Sequence, residues 1–127
     1  MTAATTPYDA LERVFHEPRR MAIMAALLSE ADGMTFNQLK DGLRLTDGNL
    51  SRHLKALREA DAITLDKAFV DNKPRTTARL TATGRSRFME YLDALEAVLK
   101  DAAARLEGQE QTATVRGSTV RPKLAPT

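Results

Sequence analysis

Three side chains in one short stretch are suited to chemistry with a polyanion: the hydroxyl of Ser51, the guanidinium of Arg52 and the ammonium of Lys55. They belong to T-D-G-N-L-S-R-H-L-K-A-L-R-E-A-D-A, residues 46–62, in which Leu50, Leu54 and Leu57 fall at i, i+4 and i+7. At about 100° per residue Gly48, Arg52, Lys55 and Glu59 point away from that apolar stripe, with Ser51 on its flank. Donors of this kind hydrogen-bond base edges and neutralise phosphates. The rest of the chain offers no reacting group to join them. It has no cysteine, so it has neither a thiolate ligand nor a cysteine nucleophile, and its two histidines, His16 and His53, lie far apart. No Ser/His/Asp order, paired carboxylates, phosphate-cradling glycine loop or metal-ligand spacing is present. The expectation is a protein that is not an enzyme and holds no metal or cofactor. His53, near the apolar stripe, is read as packed or backbone-bonded.

The elements that must carry these residues follow from the punctuation around them. Thr46 can cap a helix over 46–60, and Asp47 in its first turn suits the positive end of the dipole. Just before it, T-F-N-Q-L-K-D-G-L-R-L predicts a very short strand at 34–36 and a short helix Phe36–Asp41. Thr35 and Gln38 have capping-box spacing there, and Gly42 is expected to supply the left-handed residue that ends the helix. Two helices joined by a tight turn form a helix-turn-helix, whose second helix lies in the DNA major groove. Asp61 stands where the end of that helix needs a left-handed residue. Next, Ile63, Leu65 and Phe69 alternate along a strand, with Lys67 interrupting their apolar face. A turn over Asp71-Asn72-Lys73-Pro74 and a return strand Arg75–Leu80 complete a basic hairpin. Directly after a helix-turn-helix this is a wing, whose Lys73 and Arg75 reach the backbone or the minor groove.

Residues 1–7 are small and polar and are expected to be disordered. A short helix Tyr8–Phe15 and a central buried helix from Pro18 to Glu30 follow, with Pro18 in the first turn. Thr81 caps a last helix over 82–107, in which Phe88, Leu92, Leu95, Leu99, Ala102 and Leu106 step by 4, 3, 4, 3 and 4. That heptad seam favours packing on a second helix, and homodimerisation is expected. Phe15, Phe88 and Tyr91 suit either a ligand pocket beside this helix or plain core, so whether an effector is sensed stays open. Residues 108–127 are polar and are expected to form a disordered tail. The fold class is mainly α with a small β-hairpin (α+β): a winged helix-turn-helix over residues 8–107, with a long C-terminal dimerisation helix.

At 127 residues and 43% hydrophobic composition the chain is one globular domain rather than a disordered polymer. Its net charge of +2 argues little, but the distribution says more. Residues 67–79 hold four basic side chains against one acidic, whereas residues 88–107 hold two against five. One segment is suited to phosphates and the other faces away from them. The opening M-T-A-A-T-T-P has neither the basic nor the apolar region of a signal peptide, and no apolar run approaches bilayer length. No membrane partner is expected, and the compartment is read as the cytoplasm, in association with the nucleoid.

The order of elements resembles the winged-helix regulators of the MarR/ArsR group. Leu50–Ala60 (L-S-R-H-L-K-A-L-R-E-A) is similar to their recognition helix, Ala78–Arg85 (A-R-L-T-A-T-G-R) to their hairpin exit, and Glu17–Leu27 (E-P-R-R-M-A-I-M-A-A-L) to their first core helix. The resemblance covers roughly residues 8–107. It implies a homodimeric, sequence-specific regulator of double-stranded DNA. It also implies that Asn49, Ser51 and Arg52 face base edges or nearby phosphates, that Lys55 holds phosphate, and that Arg75 lies on the wing. The chain departs from the group in three places. Asp61-Ala62 stands where glycine and a large apolar residue are usual, the tip 71–75 does not match the MarR spacing, and the cysteine clusters of metal-sensing ArsR proteins are absent. The alternative is a winged-helix protein-interaction module that binds no DNA.

Overall fold

A computed structural model describes residues 10–115. Its elements run α1 (Pro18–Leu28), β1 (Met34–Thr35), α2 (Phe36–Leu43), α3 (Asp47–Glu59), β2 (Ile63–Val70), β3 (Lys73–Leu80) and α4 (Ala82–Val115). The strands form one antiparallel sheet in the order β1-β3-β2. This is the winged-helix fold expected from the sequence, mainly α with a β-hairpin and a long last helix.

The core lies where α1, α2 and α3 meet the base of the hairpin and the first turns of α4. Ile23, Met24 and Leu27 of α1, Leu39 of α2 and Leu50, Leu54 and Leu57 of α3 are all buried in it. Each such side chain stabilises the fold by about 1.5–3 kcal/mol relative to exposure, so the leucine stripe of α3 fixes which face of that helix looks outward. Phe15, Phe88 and Tyr91 also sit in this core with no exposed surface, their ring centroids 5.4–5.9 Å apart. Of the two uses open to these rings, core filling is the one realised.

The ends of the helices show how local chemistry sets the frame. Glu17, extended at φ −150°, caps α1 by accepting from the amides of Arg19 and Arg20 at 2.8 Å, and Pro18 needs no partner in the first turn. The Thr35–Gln38 capping box is formed in both directions. Helix α2, however, runs through Gly42 to Leu43, and the left-handed residue is Arg44 (φ 56°, ψ 48°). Leu43 and Leu45, both partly buried, pack against the core, so the helix continues until Leu43 reaches that contact and turns only then. Asp61 is left-handed, as expected (φ 61°).

The hairpin turn is narrower than the sequence suggested. Val70 pairs with Lys73, leaving only Asp71 and Asn72 between the strands, both at positive φ (54° and 62°). That is the two-residue turn whose twist matches the strands. Lys73 and Pro74 therefore belong to β3. Pro74 sits opposite Phe69, at a position where pairs make no inter-strand hydrogen bonds. Its other edge is uncovered, because β1 meets β3 only at Thr77 and Ala78, so the missing N–H costs no ladder bond.

Other differences are of extent. From residue 11 the segment expected as the helix Tyr8–Phe15 is a set of turns closed by bonds such as Phe15 N–H to Glu12 O at 3.0 Å; Leu11 and Val14 still pack on the core. Helix α1 stops at Leu28 rather than Glu30. Helix α4 continues to Val115, past residue 107 where the tail was expected to begin. The expected disorder of residues 1–7, and of the tail beyond 115, lies outside the described residues.

Gly84 brings α4 against the end of α3. A Cβ there would lie 2.0 Å from the carbonyl oxygen of Ala62. The same junction is held by Thr81, whose hydroxyl donates to Asp61 O at 2.7 Å and whose amide donates to Ala62 O at 3.0 Å. Arg87 clamps it one turn further on. Its guanidinium donates to Ala60 O and to the Glu12 carboxylate, each at 2.7 Å, and lies 5.4 Å from the Phe15 ring centre. The Glu12 bond, working against burial, holds the Arg87 pKa above its ordinary value.

Candidate nucleic-acid interface

With Leu50, His53, Leu54 and Leu57 turned inward, α3 exposes Gly48, Ser51, Arg52, Lys55, Arg58 and Glu59. Thr46 caps the helix by accepting from the Asn49 amide at 3.1 Å. Asn49 is half-buried, and its side-chain oxygen accepts from the Arg52 guanidinium at 2.8 Å. Asn49 thus orients Arg52, leaving the outer edge of the guanidinium free for a base or phosphate. The ammonium of Lys40 in α2 pairs with Asp47 at 2.9 Å across the turn.

His53 faces the other way. It is 6% exposed, with Nδ1 3.3 Å from Arg20 Nη1 and 3.9 Å from Glu17 Oε1. Burial, with the charges of Arg20, Arg52 and Arg19, lowers its pKa despite Glu17. It is the packed histidine the sequence suggested. Glu17 is itself held below the ordinary carboxylate value: burial works against this, but the Arg20 and Arg19 amides and His53 outweigh it.

On the wing, Lys73 and Arg75 are exposed and Arg79 is tied to Asp66. Among the described residues no carboxylate pairs with Lys67, Lys73 or Arg75. A groove of about 740 Å³ separates the wing from the start of α2, bordered by Asn37, Gln38, Lys73 and Arg75. A second hollow of about 550 Å³ lies between the N-terminal ends of α1 and α3, rimmed by Arg19, Arg44, Thr46 and Asn49. Arg19, Arg44 and Arg58 are basic side chains at this face that the sequence reading did not single out. Arg58 was legible, three residues beyond Lys55; Arg19 and Arg44 reach the face only through the fold.

The α4 seam divides in two. Phe88 has no exposed surface and is spent on its own core, while Leu92 and Leu95 are half-buried against it. Leu99 is 62% exposed, Ala102 is exposed and Leu106 half-exposed, with Met89 also open on the helix. Among the described residues no group of three His, Cys, Asp or Glu side chains could hold a metal, and no helix is long and apolar enough to cross a membrane.

An outward helix of Ser, Arg and Lys beside a basic hairpin, on this fold, defines a winged-helix DNA-binding domain. The chain belongs to that family: the family model described as a winged helix DNA-binding domain matches residues 19–99. A transcriptional regulator homologue from Pyrococcus horikoshii OT3 has the same fold, with a TM-score of 0.69 and 28% identity over 75% of this chain and 94% of its own. The uncharacterized protein MJ0432 of Methanocaldococcus jannaschii is 36% identical over 80 residues, which is 63% of this chain and 86% of that protein. In fold alone, the chain also matches Staphylococcus aureus MepR in a complex with DNA, with a TM-score of 0.61, 16% identity, and coverage of 85% and 87%. Fold and family are those of transcriptional regulators.

Proposed function

We propose that the chain is a homodimeric transcriptional regulator in which each protomer inserts α3 into the major groove and lays its wing on the adjacent backbone or minor groove. The observation that carries this is the exposed face of α3, where Asn49 holds the Arg52 guanidinium and Ser51 and Lys55 stand beside it. Arg52 and Ser51 read base edges, Lys55 and Arg75 neutralise phosphate, and Lys73 follows the backbone beside the wing. MepR, of like fold, is bound to DNA in its complex, which supports the same use here. The partly open stripe Leu92, Leu95, Leu99, Ala102 and Leu106 joins two protomers, and half-sites then lie about one helical turn apart. The regulator does no catalysis, and its place is the cytoplasm, on the nucleoid.

The test is a gel shift with DNA flanking its own gene and with a random-sequence duplex pool, over a salt series and with excess competitor. A band that survives competitor and fades steeply with salt is expected, since phosphate neutralisation releases counterions. Absence of binding to any duplex at low salt would refute the proposal and leave a protein-interaction module.

A further inference from the structure

The hairpin carries an aromatic ring that the fold does not use. Along the inner face of β2 exposure rises from Ile63 at 2% to Phe69 at 78%, with Leu65 and Lys67 between them. Alternation places Lys67 and Phe69 on the face that buries Ile63, and the register sets Pro74 opposite Phe69. The core ends near Leu65, so the outer half of the hairpin stands clear of it and its face ends in an apolar pair, Phe69 and Pro74. The two-residue turn puts Phe69 within two positions of the tip.

The surroundings of this pair select what covers it. Lys67 lies two residues back on the same face, and Lys73 and Arg75 lie on the opposite face. All three are exposed and without a carboxylate partner among the described residues. Asp66, on the outer face, is neutralised by Arg79, which leaves Asp71 as the one unpaired acid of the hairpin among the described residues. An apolar wedge ringed by cations on both faces fits a groove with phosphate edges and an apolar floor and walls of deoxyribose and stacked bases. That is the DNA minor groove, where protruding Phe and Pro side chains part base steps.

Resting on the reading of the chain as a DNA-binding regulator, we propose that Phe69, backed by Pro74, is a wedge that the wing sets into the minor groove. There it partly unstacks a base step and makes the wing selective for steps that open easily. Pyrimidine–purine steps, TA and CA/TG, are the ones that kink at least cost. Phe69 is thus a specificity-determining residue at a position where no base edge is read by hydrogen bonds.

The experiment is parallel selection from a random-sequence duplex pool with the wild-type protein, Phe69→Ala and Phe69→Leu, followed by circular-permutation gels on the recovered duplex. Phe69 is exposed, so all three proteins fold alike, and thermal melting confirms it. Wild type and the leucine variant are expected to recover the same core motif flanked at fixed distance by a pyrimidine–purine step. Replacing that step by a purine–purine step should weaken wild-type binding about fivefold or more and leave the alanine variant within about twofold. The alanine variant should keep the core motif, lose the flanking preference and bend the duplex less. An unchanged flank and bend in Phe69→Ala would overturn the wedge while leaving the regulator intact. Loss of self-association in Phe69→Ala, with the flank preference retained, would overturn it in favour of a contact between protomers. Failure of all three proteins to recover any motif would overturn the regulator and the wedge together.

Discussion

Replacing Gly84 by alanine should destabilise the protein strongly, although the same exchange in a helix ordinarily stabilises. Alanine is favoured over glycine in a helix by about 0.5–1 kcal/mol. At Gly84 the new Cβ would lie 2.0 Å from Ala62 O and 2.7 Å from Ala62 C and Cα, all backbone atoms that cannot rotate aside. Relief requires the start of α4 to retreat by about 1 Å or more, and overpacking of this kind costs about 1–3 kcal/mol. The retreat also stretches the bonds of Thr81 to Asp61 O and Ala62 O and that of Arg87 to Ala60 O, each worth about 1 kcal/mol. The clash and the lost bonds outweigh the helix preference by about 3 kcal/mol, which for a domain near 100 residues is a fall of roughly 10–20 °C in Tm. Gly42→Ala is the internal control: it sits in α2 with nothing within 4 Å of its added Cβ, and should gain about 0.5–1 kcal/mol. Urea denaturation at fixed protein concentration compares the two. A Gly84→Ala protein as stable as wild type would show that α4 does not approach the α3–β2 turn as closely as described, and the reasoning would fall.

Arg52→Ala should cost roughly 1–3 kcal/mol on specific DNA and little on random DNA, whereas Lys55→Ala should weaken both and lower the salt slope by about 1; gel shifts on the two duplexes separate these effects. Leu99→Glu places a carboxylate on the open α4 stripe and should leave folding intact while weakening self-association about tenfold or more, read by sedimentation velocity. Because burial lowers the pKa of His53 below its ordinary 6.5, the unfolded chain takes up the proton first. Stability should therefore be full above the unfolded value near 6.5 and fall as pH drops from there towards the lower folded value. His53→Gln should flatten this part of a stability–pH profile measured by thermal melting, and an unaltered slope would mean that another group is responsible.

What could be read from the sequence was what short-range chemistry decides. Thr46, the leucine stripe and the turn at Asp61 declare α3 and its outward face within one stretch of chain, and the Thr35–Gln38 box declares the start of α2. Where local signals compete with packing, packing wins: Gly42 is the better left-handed residue, but the core contact of Leu43 carries the helix past it and places Arg44 there. Alternation identifies the inner face of β2 without saying where the core beneath it ends, so Phe69 could be assigned to a face but not to solvent. The heptad spacing of α4 likewise does not divide Phe88, which faces its own core, from Leu99, which does not. Contacts between distant parts of the chain leave no local trace. Glu12 and Arg87, and His16 and Tyr91 joined at 2.9 Å, are each 75 residues apart.

Seen mechanically, α4 is a beam clamped at one end. The clamp runs from the Thr81 cap through Arg87 and the buried Phe88, Tyr91 and Ala94 to Leu95. Beyond it the helix overhangs by about 30 Å to Val115, at 1.5 Å per residue. A small bend near the clamp moves the far end of such a beam by several ångströms and leaves the clamped turns in place. In the homodimer proposed above, protomers joined through these overhangs would adjust their separation on DNA while α3 stays seated in its own domain.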